Sequence, residues 1–377
     1  MIETNMTRYF SEVTDPRVTR TRRHGLLEIL TIAFCAVLSG ADDWVAVATF
    51  GQEKVAWLRT FLELPHGIPS HDTFGRVFAR LEPAALERGF AAWSAELAGS
   101  VRGQVVAIDG KTSRRSPDRG RGQNPLHLVS AWATASGITL GQVATASKSN
   151  EITAIPQLLD LLALEGCIVT IDAQGCQHAI ATHLVNDGAD YVLALKENQP
   201  SLLAAVTTAF ADARASADTA LAPATLDRFE TVEQSHGRQE TRSVWVLSDP
   251  ALMSYLDPTG RWPHLTSVAQ VESTRVDGAQ THHETRYFLA SLPGEAPLLA
   301  RVIRTHWQIE NCLHWSLDVT FHDDLSRVRR DHGAQNLAVL KRLALNRLRR
   351  DPTPGSLATK RFRAALNHTY LLRLLTK

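Results

Sequence analysis

The chain has 377 residues, 44% of them hydrophobic and 21% charged, and a formal net charge of +1. That allows two or three domains with a large core and excludes wholesale disorder. Four scattered cysteines (Cys35, Cys167, Cys176 and Cys312) form no CxxC pair, which argues against a disulfide framework or zinc site and for reduced thiols in or near the core.

Residues 1–100 read as helical. Met1 to Arg23 is polar and charged, unlike a signal peptide, and the longest apolar stretch, Ile29 to Ala41, is too short to cross a bilayer. A soluble, cytoplasmic chain with no membrane partner is therefore expected. Apolar residues at helical spacing predict helices over Leu26–Leu38, Trp44–Leu62 and Asp72–Leu81, the last capped by Ser70. Such helices suit a DNA-reading helix–turn–helix and equally a plain bundle.

From Gln104 the pattern changes. Val105–Asp109 is an apolar run ending in an acid and Gly110. Strand-like runs follow at Leu126–Ala135 and Ile138–Ser147, joined through Ser136-Gly137. A helix is expected from Asn150 and Glu151 to about Leu164, then a strand ending in an acid, Cys167–Asp172. A helix (Gln177–Asn186), a strand (Tyr191–Leu195) and a helix (Ser201–Ala213) complete the order β-β-β-α-β-α-β-α. The expected fold class is α/β: a ribonuclease-H-like mixed five-stranded sheet with flanking helices, its first part over residues 101–222. Residues 223–295 read as a β-rich insertion subdomain. A long helix from Pro297 to about Trp315 returns to the core over 296–325, and helices Ala334–Arg350 and Leu357–Leu374 make a basic end over 326–377.

The small net charge hides segregation. Arg327 to Lys377 holds 13 Lys or Arg and two acids; Lys111 to Arg121 holds five and one; Arg8 to Arg23 holds five and two. One such stretch reads as a solvated helical face. Three of them beside candidate catalytic acids point to a polyanion.

A carboxylate that ends a buried strand is costly to keep charged. If the two strands are neighbours, Asp109 and Asp172 repel, so one protonates or a cation binds between them. Magnesium suits, being hard, oxygen-seeking and reluctant to lose all its waters. Glu310 on the long helix supplies a third carboxylate, enough for two Mg²⁺ ions, with Mn²⁺ as substitute. The plainer reading has both aspartates merely starting turns. His306, Glu310 and His314 share one predicted helical face and raise a zinc alternative, but ligands spread over two turns converge poorly and no HExxH is present.

At these residues the sequence resembles the H-repeat-associated (Rhs-linked) insertion-sequence transposases of bacteria, in the DDE superfamily. The resemblance rests on Val-Ala-Ile-Asp109-Gly-Lys-Thr, His127-Leu-Val-Ser-Ala-Trp, Lys148-Ser-Asn-Glu-Ile, Ile171-Asp172-Ala-Gln-Gly-Cys-Gln177, Leu195-Lys-Glu-Asn-Gln199, His236-Gly-Arg-Gln-Glu-Thr-Arg242 and His306-Trp-Gln-Ile-Glu310-Asn-Cys-Leu-His-Trp-Ser-Leu-Asp318-Val, in that order. It implies a ribonuclease-H-like fold, Mg²⁺ dependence, strand transfer at element ends, and Asp109, Asp172 and Glu310 as catalytic triad. Implied partners are double-stranded DNA, as terminal inverted repeats and target, and a second protomer in a nucleoid-associated synaptic complex. A structure-specific nuclease or an inactive DNA-binding relic remain the alternatives. Ile303, His306 and Leu317 stand where related insertion-sequence transposases carry Tyr, Arg and a basic residue, and Phe321-His-Asp-Asp324 has aspartate where Glu-Asp is expected. Candidate DNA contacts are Lys111, Arg114, Arg115, Lys196, Asn198, Arg238, Arg242, His306, His314, Arg329 and Arg330, with loop solvation, helix capping and surface ion pairing as the competing roles.

Overall fold

The computed structural model describes residues 4–117, 122, 124–145, 151–216, 226–235, 238–277 and 280–376. Lys148, His236 and the Arg238 side chain lie outside the described residues, as do Arg119 and Arg121 of the second basic stretch. Among the described residues the strands are β1 (Val105–Thr112), β2 (His127–Ala133), β3 (Ile138–Thr145), β4 (Ile168–Ile171), β5 (Asp190–Leu195), β6 (Leu226–Ser235), β7 (Arg238–Leu247), β8 (Ser267–Asp277) and β9 (Gln280–Ala290). The fold is mixed α/β. The chain divides into two compact units, one of Met1–Ser100, Gly110–Leu162 and Glu310–Lys377, the other of Val101–Asp109 and Ala163–Ile309.

The first unit is a helical assembly with the β2–β3 hairpin. Leu26–Leu38 is apolar all round, and every residue from Ile29 to Leu38 is buried, so it runs through the core. Its first-turn Glu28 accepts the Gly25 N–H (2.9 Å) and the Leu64 N–H (2.8 Å), which fixes where it starts. Ser70 caps His71–Arg80 through the Thr73 N–H, as expected. The predicted Trp44–Leu62 helix is broken into Trp44–Glu53 and Val55–Leu58. Trp44 stacks on Phe78 at 4.6 Å, so the helices flanking the turn bury apolar faces on each other. Helix Gly333–Arg350 is the axis of this unit. Asn346 donates to Ser94 Oγ (3.0 Å) and to the Thr139 carbonyl (2.8 Å), and accepts the Thr139 N–H (2.9 Å), standing in for a strand partner at the start of β3.

The second unit is a large mixed sheet in the order β1-β4-β5-β9-β8-β7-β6. β1, β4 and β5 are parallel, and β9 lies antiparallel to β5. The sequence sets residues 223–295 apart as an insertion subdomain. Their strands instead continue the core sheet through Val192–Leu195 paired with Tyr287–Ala290. An extra sheet of its own would leave an edge on β5 and another on β9; pairing them removes both. Helix Ala296–His306 packs Leu299, Val302 and Ile303 onto Val192, Val244, Val271 and Phe288 of this sheet.

The helix predicted from Pro297 to Trp315 is not continuous. Ala296–His306 is α-helical, Ile309–His314 winds as a wider π turn, and Trp315–Phe321 resumes the α-helix. Similarly, Leu357–Leu374 is two helices, Leu357–Leu366 and His368–Thr376. No helix among the described residues is long and apolar enough to cross a membrane.

Candidate active site

Parallel pairing puts Ile108 of β1 opposite Ile171 of β4. One step further along stand Asp109, inside β1, which runs on to Thr112 rather than ending at the acid, and Asp172, just after β4 ends, on neighbouring strands about 5 Å apart. Both are partly exposed while the preceding residues are buried, so each carboxyl leaves the core at the sheet edge. Asp172 Oδ1 accepts the Gln174 N–H at 3.0 Å and starts the turn Ala173–Gly175. That is the plainer role foreseen for it. A carboxylate has about four acceptor sites, of which this turn uses one. Asn198 is an anchor for this turn rather than a free contact: its amide donates to the Ala173 carbonyl at 2.6 Å. Lys196 is exposed.

Glu310 is exposed and falls inside the π turn. Such turns add a residue to the helix and recur at functional sites. The extra residue also breaks the shared face predicted for His306, Glu310 and His314. His306 Nδ1 pairs with Thr170 Oγ1 on β4 at 2.9 Å. Burial pushes its pKa down to about 4; the Thr170 hydrogen bond opposes this and Arg286 adds to it. Burial and then Arg342 and Lys111 push His314 down to about 3 against the pull of Asp323. Both rings are neutral at pH 7, so neither is a cationic phosphate contact. No group of three His, Cys, Asp or Glu side chains among the described residues is arranged to hold a metal, neither His306, Glu310 and His314 nor Asp109, Asp172 and Glu310. The metal reading therefore rests on the two neighbouring aspartates, not on an assembled three-ligand cage.

These two histidines make stability pH-dependent. Their folded pKa values lie below the unfolded value of about 6.5, so the unfolded chain binds more protons as pH falls. The stability they contribute is complete above pH 6.5 and is lost progressively down to about pH 4 for His306 and about 3 for His314. Urea unfolding at pH 7.5 and 5 checks this: the midpoint should fall at pH 5, and should fall less in His306→Asn.

The basic candidates divide sharply. Lys111 is 8% exposed, and its Nζ lies 2.8 Å from Asp318 and 3.1 Å from Asp324. It is a neutralised internal cation, not a phosphate clamp. Arg114 is largely exposed but also pairs with Asp324, at 3.2 Å. Sequence reading assigned no role to Asp318 or Asp324; an acid directly after Trp-Ser-Leu carries no signal of which lysine it meets. Arg115 and Arg330 are exposed, and Arg329 donates to the Arg115 carbonyl at 2.8 Å. Arg242 is held by Glu233 (3.3 Å) and by Glu240, the ion-pair ladder foreseen for this hairpin.

A second pair went unassigned although both members sit in recognisable motifs. His127 and Glu151 are 2% and 4% exposed, with Nε2 2.6 Å from Oε1. Glu151 was expected only as a favourable first-turn acid.

Comparison with known proteins gives the context. Residues 101–347 match the model described as Transposase DDE domain, and residues 7–94 the model described as DDE_Tnp_1-associated. The chain belongs to the DDE transposase family. "Putative transposase YncI" of Escherichia coli O157:H7 is 38% identical over 377 residues, covering 97% of this chain and 93% of the relative. "H repeat-associated putative transposase YhhI" of Escherichia coli K12 is 35% identical over 372 residues, covering 97% and 96%. A Xanthobacter autotrophicus relative, "Uncharacterized protein in dhlA 3'region", is 45% identical over 286 residues, covering 75% and 93%. The H-repeat resemblance thus extends over the full length of both units. DDE transposase domains generally use divalent metals and act on DNA, and Asp109 and Asp172 fall within the matched segment.

Proposed function

We propose that this DDE transposase cleaves DNA at the ends of its insertion sequence and transfers the 3′-hydroxyl into target DNA. Asp109 and Asp172, with Glu310 as the third carboxylate, would hold two Mg²⁺ ions, and the core would be ribonuclease-H-like. The observation that supports this is the parallel register of β1 on β4, in which Ile108 faces Ile171, so that the residues next along the two chains are Asp109 and Asp172. The three parallel strands β1, β4 and β5, with the antiparallel β2–β3 hairpin between β1 and β4 in the chain, support the ribonuclease-H-like reading. Bound metal would supply activation of the attacking oxygen and stabilisation of the leaving one.

The chain's own residues do the rest. The two carboxylates offer hard oxygen donors beside the buried stretches of β1 and β4. Asn198 holds the turn that follows Asp172. Among the described residues, exposed Arg115, Lys196 and Arg330, the last also 3.7 Å from Asp331, are proposed as phosphate contacts, and Lys111 is not. We propose further that two copies act together on paired element ends.

The test is nicking of a labelled duplex carrying the gene's own flanking terminus, in Mg²⁺, in Mn²⁺ and in EDTA. Metal-dependent nicking at the terminus is expected. Metal-dependent cutting with no preference for the terminus would indicate a nuclease. Tight binding without cleavage in either metal would mark a DNA-binding relic.

A further inference from the structure

The buried His127–Glu151 pair stands directly behind the backbone that follows Asp109. Successive side chains of β1 alternate between faces, so Asp109 and Lys111 share one face and Gly110 and Thr112 the other. On the latter face Thr112 Oγ1 lies 2.7 Å from His127 Nδ1, and His127 Nε2 lies 2.6 Å from Glu151 Oε1. Both ring nitrogens of His127 are thereby engaged, one by the Thr112 hydroxyl and the other by the Glu151 carboxyl group. Three elements are thereby tied at one point: the end of β1, the first residue of β2, and the first residue of helix Glu151–Leu159.

The pair also touches the main chain. A Cβ at Gly110 would fall onto Glu151 Oε1 and within 2.5 Å of His127 Nε2. Gly110 does not have a positive φ, so its turn geometry does not call for glycine. The close approach of the pair does. Burying polar groups such as these is costly unless they are hydrogen-bonded. A helix start needs no such burial, since a first-turn glutamate is favourable when exposed.

We infer that Thr112, His127 and Glu151 are positioning residues that lock the β1 backbone at Gly110 and so fix where Asp109 presents its carboxylate. This rests on the metal reading of Asp109. Partners one step behind a metal ligand commonly change metal affinity or activity by about 10- to 100-fold when removed. The pair lies on the far face of the strand, so it acts through the main chain and not by touching substrate.

The experiment is Mn²⁺ binding to the full chain without DNA, followed by electron paramagnetic resonance, with circular dichroism to check folding. Glu151→Ala should weaken Mn²⁺ binding by about 10- to 100-fold. Thr112→Val, which keeps the shape and removes only the hydroxyl, should weaken it in the same direction with the fold intact. Glu151→Gln keeps a hydrogen-bonding partner for Nε2 and should bind within about twofold of wild type, the rescue a positioning role requires. Wild-type affinity in Glu151→Ala and Thr112→Val would overturn the inference. So would losses that merely follow loss of helical signal. Asp109→Ala separates the two readings: if it binds Mn²⁺ as tightly as wild type, the metal assignment has failed and the inference goes with it.

Discussion

Asp109→Ala and Asp172→Ala should each lower terminus nicking by at least about a thousandfold while duplex affinity stays level or tightens. A bound metal ion contributes several kcal/mol to a phosphoryl-transfer transition state, and about 4 kcal/mol corresponds to a factor of a thousand. Removing a carboxylate near a phosphate also removes a repulsion, so binding should not suffer. The competing account of Asp172 is structural, since its side chain accepts the Gln174 N–H at 3.0 Å. Loss of a cap costs only about 1 kcal/mol. Asp172→Asn separates the two, because it keeps the acceptor and removes the charge. Under the metal reading it unfolds in urea at nearly the wild-type midpoint and fails to nick. If it nicks at the wild-type rate, Asp172 is only a turn starter.

The second large effect lies in the basic C-terminal helices. Lys341→Met should destabilise the protein by about 3–5 kcal/mol, the usual cost of removing one partner of a buried ion pair. Lys341 and Asp323 are 0% and 4% exposed, with Nζ 3.3 Å from Oδ1. Burial alone would raise the pKa of Asp323. Lys341, Arg342 and Lys111 outweigh that and hold it below the usual carboxylate range. Without Lys341 a buried anion loses its nearest countercharge. The double variant Lys341→Met with Asp323→Leu should recover much of the loss, because replacing both members by apolar groups removes the desolvation penalty as well. Urea unfolding measures both. A surface phosphate contact at Lys341 would give the opposite pattern, with stability within about 0.5 kcal/mol and weakened DNA binding.

Much of this was open to inspection in the sequence. Leu26–Leu38 carries apolar residues at helical spacing, and the structure has the predicted bounds. The two acids were legible because an apolar run that meets a carboxylate is costly unless the carboxylate is partly exposed, as both are, although β1 runs past Asp109 to Thr112. The register that makes them neighbours is not local. It depends on β4 crossing over to lie parallel to β1, which a run of four or five apolar residues does not specify.

Local pattern determined which elements form, and where Asp109 and Asp172 sit on them. Tertiary structure decided what the charges do. Lys341, Arg342, Arg347, Lys360 and Arg361 belong to a stretch that reads as a DNA-binding face, yet all are buried. Lys360 donates to the carbonyls of Leu348 and Asp351, Arg347 to that of Leu374, and Arg361 to that of Val37. Cations near helix C-termini satisfy carbonyls that the helix itself leaves open. Whether an arginine meets such a carbonyl or solvent depends on what other segments bring to it. A count of charges along the chain carries no information about that.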